Sequence, residues 1–310
     1  MSKISIVTPT FNEEKNIEEL FERITKVLMD IKHDWELIII DNASTDGTIN
    51  KIKSICRSHK NVKAIINNRN FGHVRSPYYG IMQGQGDAVV YLASDLQDPP
   101  ELIPQLLECW NEGEEIVLAV KTKTYGSAIL DAARRFYYHL LDALSDAPTI
   151  KDATGFGIYD RRVIQMVREI NDPYPYFRGL VADLGFKVKT IEFEQPIRKS
   201  GVSKNNLSTL FDVAMLGITS HSRIPLRLSS LLGFLVGFVS LIVGLVFIAL
   251  KLTFWDSFPI GIAPIIILFC FLFAAVFFIL GIIGEYLGII HLKLQNRPVV
   301  VPREKINFDD

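Results

Sequence analysis

The chain has 310 residues, and 33 Lys and Arg stand against 34 Asp and Glu for a formal net charge of −1. That balance leaves no electrostatic footprint for nucleic acid. Cys56, Cys109 and Cys270 form no CxxC pair and the six histidines form no HExxH, which argues against a disulfide framework or a structural zinc site.

The opening residues, MSKISIVTPT, read as a strand at 4–8 and lack the charged stretch and apolar core of a leader, which places the first domain in the cytosol. Helical spacing follows at 13–30. An apolar strand at 35–40 (WELIII) runs into an acidic turn, and a helix is expected at 45–58. A short strand at 62–66, a helix at 74–83 and a buried strand at 87–93 (DAVVYLA) come next, then a helix at 100–111 and a strand at 116–120. The strands are continuous apolar runs rather than alternating ones, the pattern of a parallel sheet covered on both faces. A helix at 128–144 leads into mixed short elements up to 195, and the segment 198–206 is polar and basic. Residues 207–221 carry apolar side chains at helical spacing. That face suits a membrane surface, a partner subunit or the helix's own domain.

Two uncharged apolar runs follow, at 228–250 and 258–284. Each exceeds the about 20 apolar residues that cross a bilayer. Arg223 and Arg227 precede the first, and Lys293, Arg297, Arg303 and Lys305 follow the second, whereas Lys251 and Asp256 offset each other between them. Basic residues favour the cytoplasmic side. The expected organisation is a cytosolic catalytic domain at 1–200, a juxtamembrane amphipathic segment at 201–227, two transmembrane helices and a cytosolic tail at 285–310. Gly233 and Gly237 have the spacing of a close-packing helix face.

In open α/β sheets ligands bind outside the carboxyl ends of the strands, and polar clusters fall at four such ends: TPTFNEE at 8–14, DNASTDG at 41–47, NRNFG at 68–72 and SDLQDPP at 94–100. Each also has a structural reading. Asn12 caps the following helix, with Glu13 and Glu14 at its positive end, or Ser44 or Thr45 caps the next one. Asp98, followed by prolines and by Glu101 three residues on, reads as a helix cap. Asp95 and Gln97 lie two apart at a strand end, and a carboxylate and an amide oxygen suit Mg²⁺ or Mn²⁺. No GxxxxGK[ST] loop and no dinucleotide fingerprint is present. Cations gather in the second half: Lys121, Lys123, Arg134, Arg135, Arg178, Arg198, Lys199 and Lys204. They suit lipid head groups or the grip of one phosphate.

The segments TPTFNEE, DNASTDGT, NRNFG, DLQDPPE, RKSGVSK and SRIPLRL, in this order and ahead of two apolar runs, resemble the family 2 glycosyltransferases. Within them the chain is most similar to the polyisoprenyl-phosphate glycosyltransferases, which include dolichyl-phosphate mannose synthases and bactoprenol glucosyltransferases. The resemblance implies a GT-A fold, a Rossmann-like mostly parallel sheet that binds a nucleotide-sugar and a divalent cation, with inverting transfer to a polyprenyl phosphate. It assigns Pro9, Phe11, Glu13, Asp41 and Asp95 to the nucleotide-sugar, and Asp95 and Gln97 to Mg²⁺ or Mn²⁺. It assigns Lys121, Arg134, Arg178, Arg198 and Lys204 to the acceptor phosphate. It further implies catalytic roles for Asp95 and Arg198, a homo-oligomer and contact with the lipid bilayer. Asp152, close to Gly155 in the sequence, is the candidate base. The sequence departs from the family's pattern at Ala93 and Asn42, where Asp is usual, at Lys121, where Arg is common, and at Gly155, where many relatives carry Asp. A noncatalytic membrane scaffold on the same fold is the rival of another class.

Overall fold

The protein is represented by a computed structural model, which describes residues 2–29, 31, 33–122, 153–170, 172–173, 175–196, 224–254, 262–295 and 297–308. The expected helices at 128–144 and 207–221 lie outside this set. The first half alternates strictly: β1 (Lys3–Thr10), α1 (Ile17–Met29), β2 (Asp34–Asp41), α2 (Thr48–Ser58), β3 (Val62–Asn67), α3 (Gly72–Gln83) and β4 (Ala88–Tyr91). A 3-10 turn (Pro100–Leu102) then opens α4 (Ile103–Asn111), followed by β5 (Ile116–Lys121), β6 (Ala153–Asp160), α5 (Arg161–Ile170), α6 (Phe177–Asp183) and β7 (Val188–Phe193). Two long helices, α7 (Ile224–Thr253) and α8 (Ile262–Leu294), precede a last strand, β8 (Pro302–Ile306).

The eight strands among the described residues form one sheet in the order β7-β5-β6-β4-β1-β2-β3-β8. Strands β4, β1, β2 and β3 are mutually parallel, and β5 runs parallel to β7. β6 runs against β4 and β5, and β8 against β3. The continuous apolar runs have the expected cause. Leu37 and Ile39 pack with Leu20 and Ile24 of α1, Ile52 of α2 and Leu106 of α4. Their neighbours Ile38 and Ile40 pack on the other face with Ile81 of α3 and Val163 of α5. A strand buried on both faces has no polar position to alternate with.

Helix α1 starts at Ile17 rather than at residue 13, because residues 12–16 are held in the loop described below. The expected tail is also not a tail. Helix α8 continues past Gly284 to Leu294, and Pro302–Ile306 joins the sheet beside β3.

Helices α7 and α8 pack on each other, and a Cβ placed on Gly233 would lie 3.5 Å from Ile279 Cδ1, while one on Gly237 would meet nothing. Gly233 therefore faces α8 at ordinary contact distance, which does not require glycine there. Among the described residues one helix, Phe271–Leu294, is long and apolar enough to cross a membrane, with a mean hydropathy of 2.2; Ile224–Val239 is a shorter apolar stretch. Large apolar side chains stand out along both helices, with Phe234 78% and Phe271 73% exposed.

Candidate functional site

Strands β1, β2 and β3 step outward in one direction, and β4 pairs on the opposite side of β1. The chain order thus reverses between β1 and β4. Such a switch point is where an open α/β sheet has a crevice for a ligand. The loop after β1 carries Phe11, Asn12 and Glu13, and the loop after β4 carries Asp95, Leu96 and Gln97.

Backbone strain marks these loops. Asn12, Ala43 and Leu96 adopt φ of 57°, 62° and 61°, one after each of β1, β2 and β4. The left-handed region costs a residue with a Cβ about 1 kcal/mol or more, and such strain concentrates at sites whose geometry the surroundings impose. At Leu96 it turns an apolar side chain into the core, where it is 4% exposed. The flanking Asp95 and Gln97 are left half-buried.

Hydrogen bonds close the first two loops on each other. Asn12 Oδ1 accepts from the Thr45 N–H at 2.8 Å, and the Asn12 N–H donates to Ser44 Oγ at 2.8 Å. The Glu13 N–H donates to Thr48 Oγ1, and Glu14 Oε2 accepts from the Gly47 N–H. Asn12 is therefore a cross-loop clamp rather than a cap of α1, and neither Ser44 nor Thr45 caps α2, whose N-cap residue Gly47 makes no side-chain bond. Glu13 is buried, with Oε2 accepting from Asn16 Nδ2 at 2.6 Å. Asp41 is 0% exposed, and its carboxylate accepts from the Ser44 N–H, Ser44 Oγ and Thr10 Oγ1. Burial raises its pKa, against the pull of those donors.

Asn42 then ties in the third loop. Its Oδ1 accepts from the Phe71 N–H at 2.8 Å and Asn67 Nδ2 at 3.2 Å, while its Nδ2 donates to Asn70 Oδ1 at 2.9 Å and Gly72 O at 3.1 Å. The Phe71 ring lies under two guanidiniums, Arg69 at 4.2 Å and Arg75 at 5.3 Å. Sequence reasoning missed Asn42 as a hub. Its signals were its place beside Asp41 and its departure from the usual Asp, and its partners lie 25 to 30 positions further on.

In the fourth loop, Asp98 does not cap the following helix. Pro99 occupies the cap position, and Asp98 Oδ2 instead accepts from the Ala93 N–H at 3.0 Å. Burial pushes the Asp98 carboxyl up to about 6; the Ala93 N–H opposes this, Asp95 adds to it and Lys121 opposes it. The charge of Lys121, the last residue of β5, is thus felt at the β4 loop. Asp95 Oδ1 accepts from the Gln97 N–H at 3.2 Å, and Oδ2 has no hydrogen bond among the described residues. No cluster of three His, Cys, Asp or Glu side chains exists among the described residues. One carboxylate and one amide oxygen fit a hard cation whose shell is completed by phosphate oxygens and water, not a closed protein cage.

The structure brings Pro9, Phe11, Glu13, Asp41, Asp95, Gln97 and Lys121 to one rim. Arg178 lies on α6. Arg134, Asp152, Arg198 and Lys204 fall outside the described residues. Gly155 has φ of 94°, and its carbonyl accepts from Tyr159 Oη at 2.7 Å. Aspartate fits that backbone only with strain, which accounts for glycine at this position.

Comparison with known proteins agrees with this geometry. The Glycosyl transferase family 2 domain matches residues 5–166. An uncharacterized glycosyltransferase of Bacillus subtilis is 34% identical over 307 residues, covering 99% of this chain and 95% of that protein. A bactoprenol glucosyl transferase of Shigella phage SfV is 30% identical over 307 residues, covering 98% and 99%. Among solved structures, glucosyl-3-phosphoglycerate synthase from Mycobacterium tuberculosis, in complex with Mn²⁺, uridine diphosphate and phosphoglyceric acid, superposes with a TM-score of 0.50 at 21% identity, over 70% of this chain and 76% of that one. The expected GT-A-like sheet is the one observed.

Proposed function

The chain belongs to glycosyl transferase family 2, and on that premise we propose that it transfers a hexose, glucose from UDP-glucose, to undecaprenyl phosphate at the cytoplasmic face of a membrane. The observation that carries this reading is the reversal of strand order between β1 and β4, with Phe11 to Glu13 and Asp95 to Gln97 on the two loops that leave it, in a chain that also holds a helix long enough to cross a bilayer. The bactoprenol glucosyl transferases among its relatives support the lipid acceptor and the glucosyl group.

The reaction needs alignment more than proton removal. A polyprenyl phosphate is already ionised at neutral pH, so one of its oxygens attacks the anomeric carbon directly. The bond from that carbon to the donor diphosphate breaks, the diphosphate leaves with the electron pair, and the carbon inverts. Pro9, Phe11 and Glu13 would hold the nucleotide, and Asp41, covered by its own loop, shapes that side of the crevice. Asp95 and Gln97 would hold Mg²⁺ or Mn²⁺, which when bound offsets the negative charge of the diphosphate. Lys121, with Arg134, Arg178, Arg198 and Lys204, would receive the acceptor phosphate and hold it in line. On this reading Asp152 has no required task as a base. Two spans, a cytoplasmic catalytic domain and a homo-oligomer complete the proposal.

The test is a donor panel. Detergent-purified protein is incubated with undecaprenyl phosphate, Mg²⁺ or Mn²⁺ and single labelled nucleotide-sugars, and label is counted in the organic phase. Label from UDP-glucose alone, abolished by chelator, is the expected result. Label from GDP-mannose, UDP-galactose or a UDP-N-acetylhexosamine would replace the donor. No label from any donor, with folded protein that binds nucleotide, would favour another acceptor or a noncatalytic scaffold.

A further inference from the structure

Among the described residues, the segment between α8 and Asn307 is fastened to the head at several points. Lys293, in the last turn of α8, pairs with Asp172 at 2.8 Å. The Pro298 carbonyl accepts from Arg75 Nη2 at 2.6 Å, and the Val301 carbonyl accepts from the Asn68 N–H at 3.0 Å. Val300 is buried, and Val299 packs against the cluster of Tyr78, Val167 and Leu180. Strand β8 then pairs with β3, and Glu304 meets Lys53 at 2.6 Å. At the far end Asn307, with φ of 60°, donates through Nδ2 to Cys56 O at 2.8 Å and Val62 O at 2.7 Å.

Two of these fastenings have a special location. Asn68 and Arg75 bracket the loop whose inner side is held by Asn42, and the Arg75 guanidinium that reaches Pro298 also lies against Phe71. The loop is therefore clamped twice, from inside the head by Asn42 and from outside by the segment that leads away from α8. A loop with few buried apolar contacts owes its order to such polar clamps, and it opens locally when one is released.

We infer that residues 297–308 are a positioning strap for the donor side of the rim: by fixing Asn68 and Arg75 they hold the loop Arg69–Gly72 on Asn42, which adjoins Asp41 on the proposed nucleotide side, so that donor affinity depends on a segment continuous with the long apolar helix. The inference rests on the donor site proposed above. The strap touches no reacting atom; it acts through the loop, by sparing the donor the cost of ordering it.

The experiment uses the full chain in detergent. Asn307→Gly keeps the left-handed backbone but releases the far end of the strap, and Arg75→Lys weakens the near end while keeping a cation there. Amide exchange across residues 68–72, UDP affinity in the presence of Mn²⁺, and donor KM and kcat are measured for both variants and the parent, with thermal melting as the check on folding. The expected result is faster exchange in the loop with β1 and β2 unchanged, UDP affinity and donor KM weakened about fivefold, the scale of one lost hydrogen bond, and kcat held within about twofold, the pattern of lost uniform binding. Loop exchange unchanged in the folded variants overturns the strap. Faster exchange with unaltered UDP affinity overturns its role at the donor site. A parent protein that binds no UDP removes the donor site itself, and the inference with it.

Discussion

Asn42 shows why an amide, and not a second carboxylate, follows Asp41 after β2. It is 7% exposed, its oxygen accepts two hydrogen bonds and its nitrogen donates two. Aspartate matches the accepting half but not the donating half, and it would face Asn70 Oδ1 and the Gly72 carbonyl with a negative charge. Asn42→Asp is expected to cost about 2 kcal/mol, the scale of buried acceptors left unpaired, read as a lower melting temperature, and to weaken UDP binding. Asp95 is the complementary case, a side chain with one oxygen that takes no hydrogen bond among the described residues. Asp95→Ala is expected to lower transfer by about a hundredfold or more, the scale seen when one electrostatic partner of a reacting group is lost. Full cation-dependent turnover in that variant would sink the assignment. The rim was legible in the sequence because each strand ran straight into polar residues. The wiring was not, because Asn12, Asn42 and Asp98 have short side chains whose capping and bridging roles differ only in where the next loop lies. Asp98 preceding two prolines and Glu101 looked like a cap, yet it bonds backward to Ala93.

At the scale of elements, charge as well as apolar packing joins the first three strands. Glu36 of β2 is 2% exposed, with Lys3 of β1 at 2.7 Å and Lys63 of β3 at 3.0 Å. Burial alone would raise its pKa, but bonds from Lys3, Ser5, Lys63 and the Gln85 N–H overcome this and hold it at about 2. A folded-state pKa below the unfolded value stabilises the fold above about pH 4.5. That contribution is lost as pH falls toward 2, because the unfolded chain takes up the proton first. Glu36→Gln is therefore expected to flatten the stability profile between those limits and to destabilise the protein by about 3 kcal/mol at neutral pH, since it strands a poorly exposed lysine. An unchanged acid limb in urea titrations at stepped pH would contradict this. Strands β1 to β5 were readable as apolar runs, whereas β8 was not. Its sequence, PREKI, begins with proline and alternates half-buried with exposed positions, as suits an edge strand with one neighbour. Nothing local separates it from a polar tail; only pairing with β3 gives it structure.

The whole molecule joins a head that buries its apolar residues to a pair of helices that display theirs. Such faces on a soluble monomer are aggregation sites, and a bilayer is the solvent that removes the penalty. The full chain is expected to sediment with membranes and to stay there through an alkaline carbonate wash; recovery in the wash would refute a spanning helix. The strap adds a constraint on how the molecule is made. Strand β8 follows both apolar helices in the chain, so it leaves the ribosome after they do. Until then the outer edge of β3 has no partner, and an open edge is a template for pairing with another chain. The head can collapse around its core as it emerges, but its eighth strand can dock only once both long helices have been made. Completion of the sheet thus reports that the chain has been made past both long helices, and a copy stalled before β8 carries an unfinished edge by which it can be told from a mature one.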